Sequence, residues 1–108
     1  MAKQLVFEYE GVTYTLEYTR KSIEQMEREG FRPQDIVDKP ISTLPALFAG
    51  AFYAHHRFVK REKVDEIFAQ MGDKEALLEK LAEMYQDPIL TLLEEPAEGK
   101  KIMWEARW

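Results

Sequence analysis

The apolar positions change period along the chain. From Gln4 to Tyr18 they alternate: Leu5, Phe7 and Tyr9, then Val12, Tyr14, Leu16 and Tyr18 after Gly11. Period two among β-branched and aromatic residues predicts two strands. Glu10-Gly11 between them predicts a tight hairpin turn. One hairpin face carries Leu5, Phe7, Tyr9, Val12, Tyr14 and Leu16. A lone hairpin is marginal in water, so this face must lie on a helix or on strands of another subunit.

From Thr19 the period becomes helical. Ile23 and Met26 are the inward positions of a first helix that shows Arg20, Lys21, Glu24, Glu27 and Arg28 to water. Its cap is Thr19 or Ser22, and Ser22 with Gln25 fits a capping box. Gly30 is placed to end it, with Phe31 closing the contact beyond. Arg32–Lys39 is a connector with one short turn around Ile36 and Val37, punctuated by Pro33 and Pro40.

Pro40 to His56 contains no Lys, Arg, Asp or Glu. Leu44, Leu47, Phe48, Ala51, Phe52 and His55 keep the spacing of one helical stripe. The pattern predicts a central helix from Leu44 to Phe58, capped by Ser42 or Thr43, with Pro45 in its first turn. A helix this apolar is expected to be buried. Ala46, Gly50 and Ala54 form a second stripe with almost no side chain. It permits close approach, either within the chain or to a partner helix.

Val64, Ile67, Phe68 and Met71 mark an amphipathic helix stopped by Gly72. Asp73 caps the next helix, whose buried side is Leu77, Leu78, Leu81, Met84 and Tyr85. Asp87-Pro88 predicts a break or kink, and Ile89, Leu90, Leu92 and Leu93 add a last apolar turn. Glu94–Lys101 reads as a flexible linker around Pro96 and Gly99. After it, Ile102–Trp108 holds both tryptophans of the chain. The expected fold is α+β: an N-terminal β-hairpin followed by about four helices. Residues 1–93 form a single domain, and 94–108 a flexible or partner-binding tail. That tail is expected either to reach a partner or to fold back as a third strand.

Composition narrows the class. At 108 residues and 45% hydrophobic content the chain is one globular domain with a modest core. A net charge of −5 argues against nucleic acid as a partner. The lack of cysteine removes disulfides, thiolate nucleophiles and cysteine zinc sites. The N-terminus lacks the apolar run of a secretory signal, and Pro40–His56 is too short to cross a membrane.

The candidate chemistry is thin. His55-His56 is the only histidine pair, and neighbours on a helix point about 100° apart, so they cannot share a metal. One is expected on the core stripe and the other at the surface. Glu8 with Glu10, and Glu94 with Glu95, have no nucleophile or base beside them. Ser22, Ser42 and Thr43 are explained as caps. No catalytic, cofactor-binding or metal-binding residue is expected, and an enzyme is disfavoured. Phe7, Phe48, Phe52 and Phe68 are assigned to the core, and Tyr9, Tyr14, Tyr18 and Tyr53 to half-exposed positions. Partner-binding candidates are Ala46, Gly50, Tyr53, Ala54, Trp104 and Trp108, tryptophan being enriched at interface hot spots.

Two stretches carry a family resemblance: FEYEGVTYTLEYTRKSIEQMEREGF (Phe7–Phe31) and DKPISTLPALFAGAFYAHHR (Asp38–Arg57). They resemble small proteins encoded among the tail genes of long-tailed, non-contractile phages and prophages of Gram-positive bacteria, which look like tail assembly chaperones. The resemblance spans roughly Leu5 to Leu93. It implies a non-enzymatic protein of the bacterial cytosol that self-associates. It also implies binding to the tape-measure protein, which is kept soluble while tail-tube subunits polymerise around it. Two rival readings are a structural virion component, such as a connector or tail-completion protein, and a small metal- or small-molecule-binding protein using His55 and His56.

Overall fold

The computed structural model describes residues 3–96 and 99–108. Part of the linker expected between Glu94 and Lys101 therefore lies outside the described residues. Two strands, β1 (Leu5–Tyr9) and β2 (Val12–Leu16), pair antiparallel, with Leu5 opposite Leu16, Phe7 opposite Tyr14 and Tyr9 opposite Val12. These pairs unite the face read from the alternation. Glu10 and Gly11 both adopt positive φ (51° and 80°), as a two-residue primed turn requires.

Six helices follow among the described residues: α1 (Arg20–Arg28), α2 (Asp35–Asp38), α3 (Pro40–Gly50), α4 (Tyr53–His56), α5 (Arg61–Gln70) and α6 (Lys74–Leu92). The fold is α+β, a hairpin followed by helices. The count exceeds the expected four because the short turn near Ile36 closes as α2 and the central helix divides into α3 and α4.

The hairpin lies on the helices. Tyr14, Leu16 and Tyr18 are buried with Phe48, Phe52, Ile67 and Leu81. The Phe7 ring stacks on Tyr14 at 5.4 Å, and Tyr14 meets Phe52 edge-on at 5.8 Å. Tyr14 and Tyr18 are thus core residues, against the half-exposed expectation. Phe7 and Phe68 are partly buried against the core, and Phe48 and Phe52 are fully inside.

Local signals set the ends of α1. Thr19 is the cap and Ser22 its reciprocal partner. The Ser22 N–H donates to Thr19 Oγ1 at 3.0 Å, and the Thr19 N–H donates to Ser22 Oγ at 2.8 Å. The Ser22–Gln25 alternative is not used. At the other end Gly30 takes φ +92°. Phe31 N–H reaches Met26 O at 2.9 Å and Gly30 N–H reaches Glu27 O at 3.0 Å, the paired bonds of a Schellman motif.

The central helix departs most from expectation. It begins at Pro40, three residues before Thr43, with Pro40 in the first turn and Pro45 inside. The bond that Pro45 cannot make would end on the carbonyl of Ile41, a residue 91% exposed, where water can replace it. The helix then stops at Gly50, eight residues short of Phe58. In an unbroken helix the Leu47 carbonyl would accept from the Ala51 N–H. Instead, the Tyr18 hydroxyl donates to Leu47 O at 2.5 Å, and the Ala51 N–H turns to Phe48 O at 3.1 Å. The Ala51 carbonyl in turn accepts the Glu17 N–H at 3.0 Å. The end of the hairpin thus takes two carbonyls at the point where glycine already weakens the helix.

Asp73 caps α6 from a positive φ of 46°, its carboxylate accepting from the Ala76 N–H at 3.4 Å. The expected interruption at Asp87-Pro88 does not end the helix. α6 runs through Pro88 to Leu92.

Candidate functional site

The small-residue strip is not one surface. Gly50 is buried, and a Cβ built there would lie 2.3 Å from Sδ of Met26. The close approach it permits is therefore between α3 and α1 within the chain. Ala46 is half-buried and Ala54 exposed. Between α3 and α4, Ala51 and Phe52 close i→i+3 bonds to Phe48 and Ala49, so the regular α spacing that would align Ala46, Gly50 and Ala54 is interrupted.

Tyr53 stands between two grooves. One, of about 320 Å³, is lined by residues that include Met26, Phe31, Ala46, Tyr53 and the cations Arg32 and Lys39. The other, of about 750 Å³, includes Lys21, Arg28, Ala54 and Arg57. The Tyr53 hydroxyl donates to Glu29 Oε1 at 2.5 Å, while Gln25 Nε2 donates to Glu29 Oε2 at 3.0 Å. Burial and then the Glu29 hydrogen bond push the Tyr53 phenol up to about 12. It stays a neutral donor, clamping α4 to the end of α1. The pair can present one phenol edge and one carboxylate to a ligand; it holds no nucleophile or acid–base couple.

The two histidines have exchanged the expected roles. His56, not His55, faces the core: its Nε2 accepts the Thr15 N–H at 2.9 Å, and its ring lies 5.1 Å from Tyr14. Burial, and then the neighbouring His55, holds its pKa below the ordinary imidazole value. That keeps the neutral form, which alone can accept a hydrogen bond at Nε2 while the other nitrogen carries the proton. His55 sits outside, 2.7 Å from Glu17 Oε1. The His55 hydrogen bond, followed by one from Gln4, lowers the Glu17 carboxyl below its usual range against a smaller effect of burial. The cause of the exchange is again the break after Gly50, which rotates α4 relative to a continuous stripe. Among the described residues no group of three or more His, Cys, Asp or Glu is arranged to hold a metal.

A second apolar surface escaped the sequence reading as a site. Leu77, Leu81, Met84 and Tyr85 of α6 are buried, but Ile89, Leu90, Leu92 and Leu93 continue into solvent. The expected last apolar turn is present and uncovered. Its signal was the continuation of apolar spacing past Tyr85, which does not reveal where the partner layer ends.

The tail is open as well. Trp104 is 82% and Trp108 105% exposed, and Ile102 and Met103 are exposed with them. It does not fold back as a third strand: the sheet among the described residues is β1 and β2 alone. The six partner-binding candidates thus separate into a packing glycine, Ala46, Tyr53 and Ala54 on the grooves, and an exposed tryptophan pair in the tail. No helix among the described residues is long and apolar enough to cross a membrane.

Comparison with known proteins finds one family, described as "Domain of unknown function (DUF5055)", matching residues 1–108. Neither a curated protein nor a solved structure matches the chain.

Proposed function

The chain belongs to the DUF5055 family over its whole length, a family described without a function; from the resemblance and the exposed apolar side chains we propose that it is a non-enzymatic phage tail assembly chaperone. It would act in the bacterial cytosol, binding the tape-measure protein and helping to recruit tail-tube subunits. The observation that carries this reading is the apolar surface left open at the C-terminal end of α6 and in the tail. Eight large apolar side chains there, from Ile89 to Trp108, meet water. Exposed apolar segments of that size suit the binding of another chain. An aggregation-prone helical client needs such a surface, presented as an apolar groove or face. The resemblance in Phe7–Phe31 and Asp38–Arg57 supplies the client's identity. The shared geometry of Tyr53 and Glu29 adds a polar clamp and no reactive group.

Co-expression with the tape-measure protein from the same tail-gene cluster tests the proposal. The expected outcome is soluble client eluting with many copies of this chain, with mass read by light scattering. Client that stays insoluble beside free 12.7 kDa protein overturns it. Recovery of the chain from purified virions by mass spectrometry would favour a virion component instead.

A further inference from the structure

The two exposed apolar segments differ in charge. The end of α6 and the residues after it carry Asp87, Glu94 and Glu95 around Ile89, Leu90, Leu92 and Leu93, with no Lys or Arg between Asp87 and Pro96. Beyond Pro96 the tail carries Lys100, Lys101 and Arg107 around Ile102, Met103, Trp104 and Trp108, against Glu98 and Glu105, the latter paired with Arg107. Each is an unfilled apolar strip with a charged margin, and the margins are opposite in sign. In the single chain they do not meet, since Trp108 is as exposed as a free side chain. We propose that the tail of one copy docks on the C-terminal apolar face of α6 of a second copy, and reciprocally, in a two-fold exchange.

Three observations support that occupant. Ile89 and Leu92 keep the helical spacing of the buried Leu81 and Tyr85, so a chain docked on them extends an existing core, while Leu90 and Leu93 flank that line. The opposed charges orient the contact, Glu94 and Glu95 facing the lysines of the incoming tail. Reciprocal exchange buries both strips of both copies. Aromatic side chains bury roughly 150–250 Å² each. Four tryptophans from two tails, with the α6 leucines, therefore approach the roughly 800 Å² per partner of a stable interface. Exchange of an identical segment is also a low-cost route to a closed dimer.

This inference draws on the same exposed side chains as the client proposal, so a docked tail would compete with a client there; the experiment below uses the chain alone, and its outcome is read separately from that of the co-expression. Both tryptophans of the protein lie in the docking segment, so their fluorescence reports it directly. The purified full chain is followed through a concentration series at low salt by tryptophan emission and by light-scattering mass. The expected result is a shift of emission to shorter wavelength together with a doubling of mass, both retreating at high salt. Two charge-reversed variants then separate the contact from general stickiness. Glu94→Lys with Glu95→Lys, and Lys100→Glu with Arg107→Glu, should each weaken self-association at least about tenfold, equivalent to about 1.4 kcal/mol. An equimolar mixture of the two variants should restore it, because each then offers the other an opposite margin. All four side chains are exposed, and circular dichroism checks that the variants fold. Short-wavelength emission at every concentration with a 12.7 kDa mass means that the chain's own tail occupies the face, and overturns the exchange. Mass doubling without an emission shift places the interface elsewhere and overturns it too. So does emission that stays that of exposed tryptophan throughout, or failure of the mixture to associate.

Discussion

His56 is the residue whose chemistry most depends on its surroundings. Its Nε2 accepts the Thr15 N–H of β2, so protonation of the ring would set two donors against each other. Burial lowers its pKa below 6.5. Because the folded value is depressed, the contribution of His56 to stability is fully present above the unfolded value and is lost as pH falls through the folded one. Thermal melts of the native chain should therefore weaken between about pH 7 and pH 5. His56→Gln places an acceptor near the same position without a titrating ring, and should flatten that slope while leaving the Thr15 N–H satisfied. An unchanged slope in the variant would assign the acid sensitivity to other groups. Glu17 is not the confounder in this window, since its carboxyl is depressed below the usual range and loses its contribution only at lower pH. The two histidines were visible as a pair in the sequence. Which of them faces inward was not, because a helix broken after Gly50 changes the angular position of everything that follows.

At the scale of elements, the decisive event is the division of the central helix. Most local signals from Leu44 to Phe58 favour one helix, with apolar residues at helical spacing and no charge before Arg57; only Gly50 weighs against it. The interruption comes from across the chain, through the Tyr18 hydroxyl on the Leu47 carbonyl and the Glu17 N–H on the Ala51 carbonyl. Burial pushes the Tyr18 phenol well above its ordinary value, so it remains a donor. Tyr18→Phe removes that donor inside the core and should cost about 1–3 kcal/mol, the penalty of a buried carbonyl left unpaired. Denaturant unfolding measures it. A neutral result would show that Ala51 reclaims the carbonyl and that Gly50 alone sets the break. By contrast, the hairpin register and the stop of α1 at Gly30 and Phe31 were readable, because their signals act within a few residues of one another; the sequence leaves the start of α1 between Thr19 and Ser22, and the structure chooses Thr19 with Ser22 as its partner. Pro88 predicts a break or kink, and the helix runs on through it to Leu92.

The whole molecule is larger in reach than its length implies. Its radius of gyration is 16.6 Å, against about 13 Å for a compact domain of this size. The buried cluster ends at Tyr85, and the chain beyond it adds span without core. A chain stopped after Glu95 should accordingly keep its melting temperature within about 2 °C at concentrations where the protein is monomeric, since exposed positions shift stability by roughly 0.5 kcal/mol or less. A large drop would show that the tail belongs to the fold. The eight exposed apolar residues that flank the acidic and basic margins are then available to serve association instead of stability.

Local chemistry written in the sequence was enough for the α+β class, the hairpin and its turn, the stop of α1, the amphipathic faces of α5 and α6, and the isolation of both tryptophans beyond a Pro and Gly linker. These depend on contacts within one turn of helix or across one hairpin. Tertiary structure alone decided where α3 ends, which histidine enters the core, that Gly50 serves the packing of Met26, and that the apolar stripe of α6 outruns its cover. Each of these turns on a carbonyl, a side chain or an absent layer brought from a distant part of the chain, and periodicity carries no record of such partners.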